Sequence, residues 1–179
     1  VNNKNSFGGI EKRGVKEALI EVSKCIQKGY NYYITSDISD FFQNINRQET
    51  NRVIFSLLHD ETINNLIEDS LRCEIINSTH KIIQSHINLF PKDQIGVLQG
   101  CCLSPLYGNI FLSEFDEEMN TLDGIRCIRY IDDFIILGKH QSKLLKAFRK
   151  ASKILDKKGL QTERAWYKSN VWRCKKISY

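Results

Sequence analysis

The sequence predicts an α+β fold in which helices pack on one side of a small antiparallel sheet. Three observations support this prediction. Residues 11 to 29 and 141 to 158 space their apolar side chains by three and four positions, as amphipathic helices do. Residues 31 to 38 are rich in β-branched and aromatic side chains, which favour a strand. RYIDDFIILG, residues 129 to 138, places a polar turn between apolar runs, as a β-hairpin does.

The first half of the chain is predicted to be mainly helical around that one strand. Gly29 can end the first helix, because glycine tolerates the left-handed conformation that often follows a helix. The apolar face of this helix consists of Val15, Ala18, Leu19, Val22, Cys25 and Ile26. After the strand, residues 48 to 60 and most of 61 to 87 are predicted to be helical. Pro91 and Gly96 then bracket a loop or a short hairpin.

A further helix is predicted before the hairpin. Ser104 suits an N-cap and Pro105 suits the first helical position. Helical spacing then continues to Met119. The hairpin strands are residues 125 to 130 and 134 to 138, and the letters IDD between them form the tight connection.

The last predicted helix, at residues 141 to 158, is amphipathic with a basic outer face. Its apolar face consists of Leu144, Leu145, Phe148, Ala151, Ile154 and Leu155. Gly159 is its expected C′ residue, and a strand or two follows it. The basic residues of this face can touch phosphate, but a solvated helix surface is the simpler explanation for them.

Length and composition limit the class of protein. The 179 residues suggest one domain, and 41% hydrophobic and 26% charged residues are typical of a globular protein. The net charge of +5 is compatible with a polyanionic partner but does not require one. No apolar run approaches the roughly 20 residues that span a membrane. The six cysteines form no CxxC pair, which favours reduced thiols and a cytoplasmic location over a zinc site.

The aspartates of the hairpin raise the question of function. Asp132 and Asp133 are adjacent, and turn chemistry alone explains such a pair. Asp37, in the stretch SDISDFF, lies at the end of the predicted strand. If the two strands are neighbours, three carboxylates converge on one sheet edge and raise one another's pKa unless a cation joins them. Two divalent ions about 3.5–4 Å apart relieve this repulsion, and hard oxygen ligands suit Mg²⁺.

Four stretches of the chain resemble, in order, the motifs of one enzyme family. They are NSFGGIEKRGVKEAL (5 to 19), SDISDFFQNIN (36 to 46), VLQGCCLSPLYGNIFLSEFD (97 to 116) and RYIDDFIIL (129 to 137). With them the chain is similar to bacterial reverse transcriptases of the group II intron and retron type. The resemblance implies a right-hand polymerase palm with part of the fingers. Residues 1–179 are then expected to be a single domain cut from a longer chain, without the N-terminal fingers and the thumb.

The resemblance implies roles for the acidic residues and for one aromatic residue. Asp37, Asp132 and Asp133 match the catalytic metal-binding triad, and the backbone carbonyl of Ile38 completes the metal shell. The implied cofactor is a pair of Mg²⁺ ions, for which Mn²⁺ can substitute. Phe42 matches the steric gate, an aromatic ring that leaves no room for a 2′-hydroxyl and so selects dNTPs. Without the motif, a core aromatic would be the simpler interpretation of Phe42.

Further positions match the nucleotide-binding residues of the family. Asp40 and Phe41 match positions whose backbone amides reach the triphosphate. Gln99 and Gly100 match the loop beside the incoming nucleotide. Tyr130 matches a position near the primer end.

The sequence departs from the family pattern at three places. Ile131 stands in YIDD where group II enzymes usually carry Ala, which leaves the subfamily open. Cys101 and Cys102 replace the usual Gly-Pro or similar pair, and we expect them to be small packing residues. Lys168 comes two residues later than the lysine that can protonate pyrophosphate, and Arg164 is the alternative.

The sequence therefore predicts an RNA-directed DNA polymerase that adds dNTPs to a primer 3′-hydroxyl. Its expected partners are an RNA template, a DNA or RNA primer and dNTPs, with no membrane. One alternative is a template-independent or defence-associated polymerase of the same fold. Another is a non-catalytic, maturase-like scaffold that binds RNA, although a scaffold has no need of three clustered carboxylates.

Overall fold

The computed structural model describes residues 3–72, 81–87, 90–91, 94–162 and 175–176. Its helices are α1 (Val15–Gln27), α2 (Phe41–Asn44), α3 (Arg47–Leu58), α4 (Glu61–Leu71), α5 (Lys81–Ser85), α6 (Ser104–Phe111), α7 (Ser113–Asn120) and α8 (Gln141–Lys157). Its strands are β1 (Ser6–Phe7), β2 (Tyr32–Ser36), β3 (Ile38–Ser39), β4 (Ile125–Tyr130), β5 (Asp133–Gly138), β6 (Gln161–Thr162) and β7 (Lys175–Lys176). In these described ranges no helix has the length and apolar character that crossing a bilayer requires.

The chain divides into two compact units. We call Val1–Ser39 together with Leu112–Tyr179 the sheet unit, and Asp40–Phe111 the helical unit. The sheet unit contains all the strands given above together with α1, α7 and α8. The helical unit contains α2 to α6.

The sheet unit is built on a five-stranded sheet with the order β1-β4-β5-β2-β7. The hairpin strands β4 and β5 are antiparallel, and β2 lies antiparallel to β5 on its other side. At the edges, β1 runs parallel to β4 and β7 runs antiparallel to β2. The β-branched and aromatic residues of YYITS, IRCIRY and DFIILG favour these three central strands. A separate two-stranded sheet pairs β3 with β6.

Helices cover both faces of the five-stranded sheet. On one face, Val22 of α1 packs against a buried cluster that includes Ile128 and Leu137. The preceding residue of β4, Cys127, points to the opposite face. Helix α7 lies on that side, and the side chain of its Asn120 is hydrogen bonded to the backbone N–H and carbonyl of Cys127. The α+β class is therefore confirmed, but the prediction of helices on one side is wrong, because Ile128 and Cys127, which point to opposite faces of β4, are both buried.

The apolar face of α1 is only partly buried. Cys25 is buried in the core of the sheet unit, whereas Val15 and Leu19 are 55% and 63% exposed. These two side chains line an open groove that is described below. Gly29 follows the end of the helix with φ 83°, as the sequence predicted.

The helical unit is held together by buried polar contacts as well as by apolar packing. Arg47 of α3 is buried, and its Nη1 donates a 2.7 Å hydrogen bond to the carbonyl of Leu71 at the end of α4. The hydroxyl of Tyr107 on α6 donates to the side-chain oxygen of Asn51 on α3. Burial raises the pKa of Tyr107 to about 12, so this hydroxyl keeps its proton at neutral pH.

Two predicted elements are interrupted in the structure. The strand predicted at residues 31 to 38 ends before Asp37, and Ile38 begins a strand of the other sheet. The helix predicted through residues 104 to 119 is two helices, because Leu112 has φ −95° and ψ 6° and leaves helical geometry. Apolar residues continue on both sides of Leu112, so periodicity alone gives no sign of this break.

Two further predictions fall partly outside the described residues. The helix predicted over most of 61 to 87 contains α4 and α5, and residues 73 to 80 between them lie outside the described part. The strands predicted after α8 correspond to β6 and β7, and residues 163 to 174 likewise lie outside it.

Candidate active site

Asp37 lies where β2 ends and the chain leaves the five-stranded sheet. Its Oδ1 accepts a 2.8 Å hydrogen bond from the backbone N–H of Ile38, which orients the carboxylate. Ser36, the residue before it, pairs with Phe134 of β5. Asp37 follows Ser36 and Asp133 precedes Phe134, so the two aspartates come directly after this pair at the same end of the two antiparallel strands. The two strands that carry the aspartates are therefore neighbours, as the proposed convergence of carboxylates requires.

The hairpin connection is one residue shorter than the sequence predicted. Tyr130 pairs with Asp133, which is the first residue of β5, so only Ile131 and Asp132 form the loop. Ile131 has φ 58°, in the left-handed region. Two-residue hairpin loops need positive φ, which glycine and asparagine supply readily and β-branched residues do not. The turn is therefore strained, and contacts around it have to maintain its shape.

A groove of about 810 Å³ in the sheet unit is lined by both Asp37 and Asp133. Its remaining walls are largely apolar and come from α1 and the central strands. They consist of Val15, Ala18, Leu19, Val22, Thr35, Ser36, Ile128, Tyr130, Phe134 and Ile135. The two carboxylates thus line the same, largely apolar recess.

The electrostatics of these carboxylates suit a cation. Desolvation first, and then the charge of Asp132, raises the pKa of Asp133. The oxygens of Asp37 and Asp133 on one groove are the hard ligands that divalent cations such as Mg²⁺ prefer. Across the described residues no three His, Cys, Asp or Glu side chains already form a metal-binding group. The structure therefore brings Asp37 and Asp133 to one groove, whereas Asp132, which precedes Asp133 in the turn, is not among the residues that line it.

Sequence reasoning missed Arg129, whose side chain is completely buried in the sheet unit. Its Nε and Nη2 donate to the two carboxylate oxygens of Asp116 at 2.9 and 2.6 Å. Nη2 also donates to Ser6 Oγ at 2.7 Å, and Nη1 donates to the carbonyl of Ile131 at 2.6 Å. Burial raises the pKa of Asp116, and the paired guanidinium opposes that rise. One signal was available: Arg129 shares a strand face with Cys127, and a charge on a buried face needs a partner.

Phe41 and Phe42 begin α2 in the helical unit, and their ring centroids are 5.2 Å apart. Phe41 is 2% exposed, whereas Phe42 is half-buried. Gly108 of α6 leaves room for the Phe41 ring, since a Cβ there would lie 2.8 Å from Phe41, and it would make an ordinary contact with Phe42 at 3.8 Å. The backbone N–H of Val97 donates to the carbonyl of Phe42 at 2.8 Å. The predicted gate residue is thus held by its backbone and by its neighbour's buried ring.

The other predicted nucleotide-binding residues of the helical unit lie in turns. Asp40 is exposed and has φ 47°, a conformation that aspartate tolerates better than most residues. Gln99 and Gly100 form a turn in which Gly100 has φ 90°. The hydroxyl of Ser104, the first residue of α6, donates to the carbonyl of Leu98 and so ties this turn to the helix.

The described residues do not test the prediction for the pyrophosphate lysine, and the prediction for the two adjacent cysteines is partly wrong. Lys168 and its alternative Arg164 lie outside the described residues. Cys101 is half-buried, but Cys102 is exposed, so the expectation that both cysteines pack is wrong for Cys102.

Comparisons with known proteins identify the family to which the chain belongs. The family described as "Reverse transcriptase (RNA-dependent DNA polymerase)" matches residues 1–179. No curated protein matches the chain. Among solved structures, apo telomerase from Candida tropicalis, truncated from its C-terminal domain, has a TM-score of 0.55 at 16% identity. That match covers 90% of this chain and 35% of the telomerase chain.

Two further solved structures are similar at lower TM-scores. A partial Cas6-RT-Cas1–Cas2 complex and a Cas6-RT-Cas1–Cas2 complex each match at 26% identity with a TM-score of 0.37. Each match covers 80% of this chain. It covers 25% of the matched chain in the partial complex and 16% of the matched chain in the other complex. The chain thus spans about a third or less of the length of these three structures.

The telomerase likeness supports the palm-like fold, and the family match extends over every residue of the sequence. Reverse transcriptases are nucleotidyltransferases that use divalent metal ions, which agrees with the carboxylates on the groove. The chain belongs to the reverse transcriptase family.

Proposed function

We propose that the protein containing this chain is an RNA-directed DNA polymerase that adds dNTPs to the 3′-hydroxyl of a primer. The observation that carries the proposal is the placement of Asp37 and Asp133 across neighbouring strands on one groove. Asp132 precedes Asp133 in the turn, and desolvation first and then the charge of Asp132 raise the pKa of Asp133. Such an arrangement within a reverse transcriptase chain supports catalysis of phosphoryl transfer by metal ions.

The chain's own residues would hold and orient the reacting groups. Asp37, Asp132 and Asp133, with the backbone carbonyl of Ile38, are the proposed ligands. Two Mg²⁺ ions held by these groups, or Mn²⁺ in their place, would lower the pKa of an attacking hydroxyl and would neutralise charge on the transferring phosphoryl group and pyrophosphate. The hydrogen bond from Ile38 N–H occupies Oδ1 of Asp37 and so fixes the direction of this carboxylate. Tyr130, which is 37% exposed, lines the same groove and is the residue we assign to the primer end.

The helical unit supplies the residues that we assign to the incoming nucleotide. Phe42 is the proposed steric gate, since a ring against C2′ of the sugar excludes a ribose hydroxyl. The backbone amides of Asp40 and Phe41 and the turn at Gln99 and Gly100 are proposed to contact the triphosphate and the base. Lys168 is the proposed acid for the leaving pyrophosphate.

The subfamily is part of the same proposal. The motifs SDISDFFQNIN and VLQGCCLSPLYGNIFLSEFD support the bacterial group II intron and retron branch. We propose an RNA template and a DNA or RNA primer as partners. Sequencing of the products separates templated copying from template-independent synthesis by a polymerase of the same fold.

The first test is primer extension by the full-length protein on an RNA template with dNTPs and Mg²⁺. We expect Asp132→Ala combined with Asp133→Ala to lower extension by at least about 100-fold, because the charge that develops in phosphoryl transfer loses its stabilisation. Asp123→Ala is the matched control, since Asp123 is an exposed aspartate of the same unit. Primer extension that persists in the double variant would contradict the catalytic role of Asp132 and Asp133. RNA binding without nucleotide incorporation by the unaltered protein would favour the scaffold function instead.

The second test addresses sugar selection. We expect Phe42→Val to raise incorporation of ribonucleotides relative to deoxyribonucleotides by about 10-fold or more, because a smaller side chain leaves room for a 2′-hydroxyl. Phe55→Val, on α3 of the same unit, is the control for loss of an aromatic ring. Unchanged sugar selectivity in Phe42→Val would remove Phe42 from this role.

A further inference from the structure

We propose that Arg129 is a positioning residue, whose buried guanidinium holds the carbonyl of Ile131 and thereby fixes the turn that presents Asp132 and Asp133. This inference rests on the proposed catalytic role of those aspartates. It concerns the geometry of the turn and assigns Arg129 no contact with substrate or metal.

The guanidinium is anchored from two directions, so its position is well defined. Asp116 on α7 accepts two of its N–H groups, at 2.9 and 2.6 Å, in a bidentate pair. Ser6 on β1 accepts a further one at 2.7 Å. With these contacts made, Nη1 is directed at the carbonyl of Ile131, 2.6 Å away. The turn is thereby joined to one helix and one edge strand of the sheet unit.

The energetics of this pair point to a geometric role. Arg129 and Asp116 are 0% and 2% exposed, and removing both charges from water costs free energy that their mutual attraction largely offsets. Two apolar side chains of similar volume would stabilise the fold about as well. What apolar side chains cannot supply is a charged donor for the Ile131 carbonyl.

The turn needs this support because its backbone is strained. Ile131 has φ 58°, which a β-branched side chain disfavours. The residue is restrained at three points: its N–H donates to the carbonyl of Phe7 at 3.2 Å, its carbonyl accepts from Arg129, and its side chain packs against Gly8. A Cβ on Gly8 would lie 2.8 Å from Ile131 Cγ1, so this packing leaves no spare room. Release of one restraint allows the turn to relax toward ordinary φ values.

The decisive variant removes the polar network and keeps its volume. Arg129→Met, Asp116→Val and Ser6→Ala together leave no unpaired charge among the three positions, so we expect a melting temperature within a few degrees of the unaltered protein. In the full-length protein, we expect kcat for dNTP addition to fall about 10- to 100-fold with KM for dNTP little changed, because a small displacement of catalytic groups is costly. We also expect amide hydrogen exchange at Ile131 to rise by about 10-fold or more, with exchange at Ile136 in the middle of β5 unchanged.

A second pair of variants tests the turn without altering any charge. Gly8→Ala and Gly29→Ala each place alanine at a left-handed backbone position, with φ 78° and 83°. Only the Cβ at Gly8 meets Ile131, whereas nothing lies within 4 Å at Gly29. Both variants are measured at a temperature where both are folded. We expect Gly8→Ala to lower kcat and to raise amide hydrogen exchange at Ile131. We expect Gly29→Ala to change neither quantity.

The outcomes separate this proposal from the proposed function. A triple variant that folds with unaltered kcat and unaltered exchange at Ile131 overturns the positioning role, even if the aspartates prove essential. If the triple variant does not fold, the comparison of the two glycine variants decides, and equal behaviour overturns the proposal. If the unaltered protein has no polymerase activity, the proposed function fails. Hydrogen exchange at Ile131 then still tests whether Arg129 restrains the turn.

Discussion

Gly108 in α6 offers a test in which two physical effects oppose each other. Alanine stabilises a helix interior by about 1 kcal/mol relative to glycine. At this position, however, the new Cβ would lie 2.8 Å from Cε1 and 3.1 Å from Cζ of Phe41. Carbon atoms in contact prefer about 3.5–4.0 Å. Phe41 is 2% exposed, so its ring has little space into which it can move.

The steric effect should outweigh helix propensity. Overpacking of a filled core typically costs about 1–3 kcal/mol. Subtracting the propensity gain leaves Gly108→Ala less stable by about 1 kcal/mol, which lowers Tm by about 3 °C for a chain of this length. Because the rings of Phe41 and Phe42 are 5.2 Å apart, the displaced Phe41 should also disturb the proposed gate. We therefore expect sugar selectivity and Tm to change together in this variant.

A double-mutant cycle identifies the cause of the loss. Phe41→Leu removes the ring atoms that the new Cβ would meet, so Gly108→Ala should cost less in that background. We expect a coupling free energy of about 1 kcal/mol from thermal unfolding followed by circular dichroism. A rise in Tm for Gly108→Ala alone, or strictly additive effects in the cycle, would refute the steric argument.

Two further predictions concern the stability of the two units, and a third concerns the accessibility of a buried thiol. Asn120→Ala removes two 3.1 Å hydrogen bonds to the backbone of Cys127 and should lower the free energy of unfolding by about 1–3 kcal/mol, measured by urea denaturation; an unchanged midpoint would contradict this. Arg47→Met removes the donor to the carbonyl of Leu71 and should cost a similar amount, which the same measurement checks. Burial raises the pKa of the Cys127 thiol, so iodoacetamide should modify exposed Cys102 in the native protein and Cys127 only after unfolding. Equal labelling rates by mass spectrometry would show that Cys127 is accessible.

Much of the fold could be predicted because its signals are local. The hairpin follows from two apolar runs around a polar turn, and α8 follows from its apolar spacing. The neighbouring positions of β2 and β5, on which the convergence of Asp37 and Asp133 depends, could be proposed only as a condition. Strand order depends on contacts between distant segments, and a single sequence does not display those contacts.

Sequence reasoning missed the residues whose environment or backbone conformation is uncommon for their type. Arg129 and Asp116 look like solvated charges in the sequence, yet they form a buried pair. Ile131 occupies a left-handed turn position that its branched side chain disfavours, so residue preferences predict a different residue there. In the sequence, Gly108 looks like a destabilising residue within a helix, although its missing side chain makes room for the ring of Phe41.

The contact between Ser6 and Arg129 has a consequence for the order in which the molecule folds. The two residues are 123 positions apart, so their meeting requires closure of a loop that includes most of the chain. The pairing of β4 with β5, by contrast, joins residues that are close in the sequence, and a hairpin of this kind can form in about 1–10 μs. This hairpin, which carries Asp132 and Asp133, can therefore form before β1 arrives beside β4. We therefore expect the turn to reach its final shape late in folding, when Ser6 and Phe7 come into contact with Arg129 and Ile131.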